Sequence, residues 1–233
     1  MLIKSVTETI LQDLRVKIIV GELAPGSKLK EEELSSNFGI SRAPLREAFR
    51  LLENQHLVIY YPRKGSYVTE ISIEKCREIY QVRTMMECFS VDLLKEKGIR
   101  DLPKVESALE ETVNLAMPSN DDVYKKFDYL KAIANFHISL VETAGNKQLS
   151  YFYQTIFPNL ARYQSIYTYI SGLMNESHQE HKEFLRLVKN CDYEKAKDHL
   201  RCHINKFVKI IEDKISDDEE AIQDTLLNKS QAN

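Results

Sequence analysis

Two groups of residues in this 233-residue chain have the types and spacing to do chemistry. The first is Arg42, Arg46 and Arg50, four apart, so that on a helix they climb one side. The same stretch, 41–53, sets Leu45, Ala48, Phe49 and Leu52 at the three-and-four spacing of a buried stripe. Ser41 suits an N-cap, and Pro44 falls in the first turn, where its missing N–H costs nothing. A helix that buries one face and offers guanidinium groups on another is suited to phosphates and guanine edges. Taken alone, it reads better as an ordinary amphipathic surface helix with solvated arginines.

The second group is histidine. His137 lies among Leu130, Ile133, Leu140 and Val141, and His181 among Met174, Phe184, Leu185 and Val188. His203 lies among Ala196, Leu200, Phe207 and Ile210. Three helices thus each place an imidazole at the centre of the face they must bury. One such residue is ordinarily a hydrogen-bonded core histidine. Three on one core are costly if unpaired, and a shared divalent ion would satisfy them all. The local pairs His199 with His203 and His178 with His181 have chelate spacing too, but His178 and His199 fall toward the rims of their stripes. His56 is expected to be unrelated.

The elements around these residues give them context. A helical stripe through Ile10, Leu14, Ile18 and Ile19 stops at Gly21, and Pro25-Gly26 suits a type II turn. A short helix over 31–38 is broken by Gly39, and the arginine helix follows after a short turn. The β-prone runs 57–61 and 66–69 flank Pro62-Arg63-Lys64-Gly65, a hairpin tip with two cations. Beyond residue 71 the chain is helix-periodic, with expected spans 72–97, 102–116, 121–143, 147–170, 173–189 and 193–215. Short connections predict an antiparallel bundle. The fold class is therefore mainly α: a winged helix-turn-helix over 1–70, an all-α bundle over 71–215, and an acidic then polar tail over 216–233, expected to fray.

The run 21–29, the motif Ile40-Ser41-Arg42-Ala43-Pro44-Leu45-Arg46-Glu47-Ala48, then Leu51-Leu52-Glu53 and Arg63-Lys64-Gly65 resemble the winged-helix domain of GntR-family transcription regulators. The resemblance puts Ser41, Arg42, Ala43, Pro44 and Arg46 on the DNA-facing surface with Arg63, Lys64 and Gly65, and Arg50 one turn on toward phosphate. Glu32 stands where some relatives carry a DNA-contacting arginine, so that contact is not carried over. The bundle is similar to the FCD effector domain of the FadR subfamily, through Ile79-Tyr80-Gln81-Val82-Arg83 with Glu87, Phe136-His137, Ala144-Gly145-Asn146, Glu180-His181, Asp192, Ala196 and His203. It implies a metal site (Zn, Ni or Mn) at His137, His181 and His203, shared with a small-carboxylate effector that Arg83 helps bind. In metal-containing relatives an acid lies four residues before the first histidine. Here that position is Ile133, and Asp128 is out of register to replace it. Arg83 is also placed to pair with Glu87, its i+4 neighbour. Tyr151, Tyr153, Tyr163 and Tyr167 suit either the same cavity or ordinary packing.

A net charge of −3 excludes a protein that coats nucleic acid by bulk charge, but not one with a local basic patch. No apolar run approaches the roughly 20 residues of a membrane span, no secretory pattern opens the chain, and four scattered cysteines read as reduced thiols, so a cytoplasmic setting is expected. The expected function is a metabolite-responsive transcription regulator that acts as a repressor. It is expected to act as a homodimer on an imperfect inverted repeat of operator DNA, with no catalytic residues. The competing readings are a metal-dependent enzyme with a DNA-binding head, disfavoured because Glu180 was expected off the buried stripe, and a helical domain that is purely structural.

Overall fold

The computed structural model describes residues 5–113, 115–116, 118, 122–168 and 173–231, with side chains outside 167–168, 173–175 and 217–231. The N-terminal part contains α1 (Val6–Ile19), β1 (Lys28–Leu29), α2 (Glu31–Phe38), α3 (Arg42–Asn54), β2 (Val58–Tyr61) and β3 (Gly65–Val68). The remainder is helical: α4 (Ile73–Glu96), α5 (Pro103–Val113), α6 (Val123–Thr143), α7 (Lys147–Thr168), α8 (Leu173–Lys189) and α9 (Tyr193–Gln231).

Local chemistry sets the boundaries. Ser5 caps α1 by accepting from the Glu8 N–H, and Ser72 caps α4 by accepting from the Lys75 N–H. Gly39 ends α2 at φ 63°, a conformation costly for any residue with a Cβ, and the chain turns there into α3. Ala24 to Ser27 closes a turn through the Ser27 N–H at 3.1 Å, with Gly26 at φ 71° as a type II turn requires. Ser41 occupies the N-cap of α3 with extended backbone, but its hydroxyl makes no capping bond, contrary to the role its type suggested.

The three strands pair antiparallel in the order β1-β3-β2, with Tyr61 opposite Gly65 at the hairpin end. Strand β1 was not foreseen. Two residues carry no alternation, and they are extended only because Lys28 and Leu29 pair with Tyr67 and Ser66. Leu14, Leu45, Leu52 and Leu57 are wholly buried and join α1, α3 and the sheet in one small core.

In the helical part α4 packs on α9, and α6 on α5 and α7. Tyr80 of α4 stacks on Phe207 of α9 at 4.8 Å, and Phe136 of α6 meets Phe184 of α8 edge-on. The last helix runs on to Gln231, beyond the end expected at residue 215 and through the stretch read as a frayed tail. The breakers expected at Ser119, Asn120 and Gly172, the helix ends expected at 121 and 170, and the side chains of Tyr167 and Met174 lie outside the described residues. Among the described residues no helix is long and apolar enough to cross a membrane.

Leu45 faces the small core from the arginine helix with no exposed surface. Leu45→Ala should cost about 2–5 kcal/mol of stability in the N-terminal part, as deletion of a buried leucine leaves a cavity. A urea unfolding midpoint unchanged from wild type would contradict this packing.

Candidate functional site

The arginines stand on the exposed side of α3, opposite Leu45, Ala48, Phe49 and Leu52. None of them is free. Arg46 donates from Nε to Glu31 at 2.9 Å, Arg42 pairs with Glu32 at 3.6 Å, and Arg50 forks onto Glu47 at 2.7 and 3.1 Å. Two acids from the first turn of α2 thus hold the two leading arginines. Between this face and the hairpin runs a trough lined by Lys28, Lys30, Arg42, Arg63 and Lys64 together with Glu31, Glu32 and Glu33. The hairpin tip turns through the Lys64 N–H bonding the Tyr61 carbonyl, with Arg63 at φ 65° where a type II turn favours glycine. Gly65 follows at φ 98°. Ser41, Ala43, Arg63 and Lys64 are exposed, and Pro44 is half-buried.

The second site lies in the bundle. One ring nitrogen from each of His137, His181 and His203 lies within 4.8 Å of the other two. Nε2 of His181 and Nε2 of His203 are 3.2 Å apart. Each outer histidine is backed by a carboxylate: His137 Nδ1 lies 2.8 Å from Glu87, and His203 Nδ1 lies 2.5 Å from Glu180. Phe136 stacks on His181 at 3.9 Å and fixes its plane.

Charge decides the tautomers. Burial alone would raise the Glu87 carboxyl, but Arg83, then His137 and Tyr153, hold it well below the usual carboxylate range. Arg83 donates from Nε at 2.7 Å and Tyr153 from its hydroxyl at 2.7 Å. The bond from His203, more than the nearby Lys206, brings Glu180 down to about 2. Both acids are therefore ionised and can only accept, so His137 and His203 each donate from Nδ1. That leaves the Nε2 lone pairs of both rings available. Burial first, then Arg83, lowers His137 to about 4, and burial with its histidine neighbours takes His181 well below its usual value. Neutral imidazoles whose far N–H is tied to a carboxylate are the usual donors of a divalent transition-metal site. Ligands about 2.1 Å from a shared tetrahedral ion stand roughly 3.4 Å apart, close to the His181–His203 spacing. The donor set fits such an ion.

The surrounding cavity is small, about 30 Å³, and is lined by Arg83, Ile133, Gln164, Ser177, Lys206 and Phe207 beside the histidines. Ile133 stands in its wall, and Asp128 is exposed elsewhere on α6. Arg83 makes the ion pair with Glu87 and also lines the cavity.

Glu180 corrects the expectation that it points away: from the position before His181 it reaches across to α9. Its carbonyl also meets His199 Nε2 at 2.8 Å, while His178 meets Thr112 at 3.1 Å, so both rim histidines sit outside the triad. Tyr153 reaches the cluster through Glu87, but Tyr151 is exposed and Tyr163 donates to the Ser72 carbonyl, away from the cavity. His56 is exposed and remote from the triad in sequence order and fold, as expected. The role of Glu87 toward His137 was missed; its place four residues after Arg83 showed only the arginine pair.

An arginine-bearing helix with a wing, joined to a helical domain with a histidine cluster, defines a winged-helix DNA-binding regulator with an all-α C-terminal domain. The family comparisons agree. Residues 6–68 match the model for bacterial regulatory proteins of the gntR family, and residues 78–206 match the FCD domain. The chain belongs to the GntR family of transcription regulators, in its FCD-containing branch. It is 30% identical over 194 residues to the HTH-type transcriptional regulator YdhC of Bacillus subtilis, covering 82% of this chain and 84% of that one. It is 26% identical over 179 residues to the gluconate operon transcriptional repressor of the same organism, covering 76% and 69% of the two chains. The fold is shared with Escherichia coli McbR/YncC (TM-score 0.70, 20% identity, 91% of this chain and 100% of that one). A GntR regulator from Rhodococcus sp. RHA1 has the same fold (TM-score 0.69, 21% identity, 89% and 98%). These relatives are transcription regulators, not enzymes.

The buried histidines make acid stability a readout of the cluster. His137 titrates near 4 in the folded chain but near 6.5 when unfolded, so the unfolded state binds more protons between these values. Folding stability of metal-free protein should therefore fall as pH is lowered from about 6.5 to 4, with His181 adding in the same direction. Thermal melts after chelation should show a shallower slope across that window in His137→Gln. An identical slope would mean that His137 is not buried neutral.

Proposed function

We propose that this chain is a metabolite-responsive repressor. Two copies place their α3 helices in successive major grooves of an imperfect inverted repeat, roughly 34 Å apart. Arg42 and Arg46 meet base edges, Arg50 meets phosphate, and Arg63, Lys64 and Gly65 follow the backbone from the wing. The gluconate operon relatives are repressors, as is RspR of Escherichia coli, 40% identical over 83 residues.

In the helical domain His137, His181 and His203 would hold a divalent ion, with Zn, Ni and Mn as candidates. Bound there, the ion would supply a Lewis-acidic anchor for the carboxylate of a small organic acid. The observation that carries this reading is the pair of ionised carboxylates, Glu87 and Glu180, tied to the far side of two of the three rings. The enclosed space suits an ion with a water and no more, so the body of an acid must displace wall side chains such as Gln164 or Lys206. Ligand control of DNA binding then requires different affinity for the two arrangements of the reading heads.

A second reading has one observation in its favour: His181 and His203 can satisfy each other directly at 3.2 Å, which a purely structural core would also show. Elemental analysis separates the two.

Arg42→Ala and Arg46→Ala should each weaken operator binding by at least about tenfold, within the 1–3 kcal/mol of a guanine contact. Fluorescence anisotropy on promoter fragments that wild type selects provides the measurement, and full retention of affinity and preference would remove α3 as the reader.

Purified protein should hold about one divalent ion per chain, lost in His181→Gln and kept in His178→Gln. Ile133→Asp should tighten metal binding at least about tenfold against a chromophoric chelator, because it adds an anionic ligand to a site of neutral donors. Absence of stoichiometric metal after incubation with Zn, Ni and Mn would leave only the structural reading.

A further inference from the structure

One feature that the proposed function does not use lies between the two parts of the chain. A cleft of about 600 Å³ opens where the end of α3 and the sheet face α4 and α7. Its apolar wall is Val58 and Ile59 from β2 and Ile79 and Val82 from α4. Its size is that of a small-molecule site, and a domain junction is a common place for one. The histidine cavity is separate and twenty times smaller, and of the cleft's lining residues none lines it.

At one side of the cleft sits Arg162 of α7, only 5% exposed. Its guanidinium donates to the Thr69 hydroxyl at 2.7 Å and to the Thr69 carbonyl at 2.5 Å, both neutral oxygens. No carboxylate among the described residues lies within ion-pair distance of it. A cation so placed is destabilised, and burial brings Arg162 down to about 10. Beside it Asn159 donates one side-chain N–H to the Gln55 carbonyl at 2.8 Å. Arg162 is thus a buried guanidinium at the cleft whose direct partners are neutral oxygens, with Glu70 of the lining acting on it only at longer range.

We infer that the cleft is a second ligand site, for a small organic monocarboxylate whose anionic end pairs with Arg162 and whose apolar body lies against Val58, Ile59, Ile79 and Val82. The other charges of the lining restrict the class. Glu53, Glu70 and Glu78 line the cleft against Lys75 and Arg162, so a phosphate or a tricarboxylate would meet three acids. A single carboxylate on an apolar body can reach Arg162 while keeping no further charge near them. Because the lining comes from both the DNA-binding part and the bundle, an occupant would favour the arrangement of the two in which the cleft keeps this shape. This site stands apart from the metal reading and survives its failure.

Calorimetric titration of the full chain with phenylacetate and hexanoate, with citrate and inorganic phosphate as comparators, tests the assignment. At least one of the two monocarboxylates should bind at a site that is retained in His181→Gln, more tightly than either comparator. Arg162→Gln should weaken that binding at least about tenfold, the scale set by removing one partner of a buried charge pair. Val82→Asp, at a half-buried position of the wall, should do the same and decides the matter if Arg162→Gln does not fold. His181→Gln should leave it unchanged. The inference is overturned if neither monocarboxylate binds, if citrate or phosphate binds as tightly, or if binding survives Val82→Asp and Arg162→Gln but is lost in His181→Gln.

Discussion

The bundle depends on one buried carboxylate. Glu87 has no exposed surface and receives Arg83 from its own helix, His137 from α6 and Tyr153 from α7. An isolated carboxylate there would cost several kcal/mol to desolvate, so each donor is needed to keep the others in place. The result joins three helices at a single ionic centre and sets the tautomer of His137. Packing of Tyr80, Phe136 and Phe184 around this centre keeps water away and strengthens every bond in it. The same charge that organises the core therefore prepares the imidazoles as neutral donors.

Helix α7 ties this centre to the DNA-binding part. Tyr153, near its start, touches Glu87, and Leu160, two turns later, accepts from the Tyr80 hydroxyl. Between them Pro158 removes one backbone donor from the helix. Asn159 and Arg162 then fasten the residue after α3 and the residue after β3, while Ile19, Leu130 and Ala161 share a small apolar contact beneath them. The contact of Tyr153 with Glu87 and that of Arg162 with Thr69 are thus carried by one helix.

Most of the helices were legible because their signals are local. Gly39, Gly145 and the capping serine at position 72 act within a turn, and the apolar stripes repeat over many residues. The three histidines were legible for the same reason, since each lies on a stripe whose burial is certain before any partner is known. What escaped depends on approach between distant segments. Strand β1 exists only through its pairing with β3. Glu180 sits one residue from His181, so a helical wheel turns it aside, and only the closeness of α9 brings its oxygen to His203. Arg162 lies on a helix with many polar residues, and nothing in its spacing marks it as the residue that meets Thr69. The continuation of α9 past residue 215 was masked by a run of acids that by composition reads as solvated tail.

The pairing of Arg42 with Glu32 and of Arg46 with Glu31 has a consequence for how the protein searches a genome. Each arginine already has an internal anion, so a random phosphate offers little gain over the bond it must replace. If α3 meets DNA as proposed, non-specific dwell times would shorten accordingly, while a guanine edge with two acceptors would still give a better bond than one carboxylate oxygen. The acids on α2 would then work as a threshold that lets the helix leave wrong sequences quickly, trading raw grip for speed of scanning.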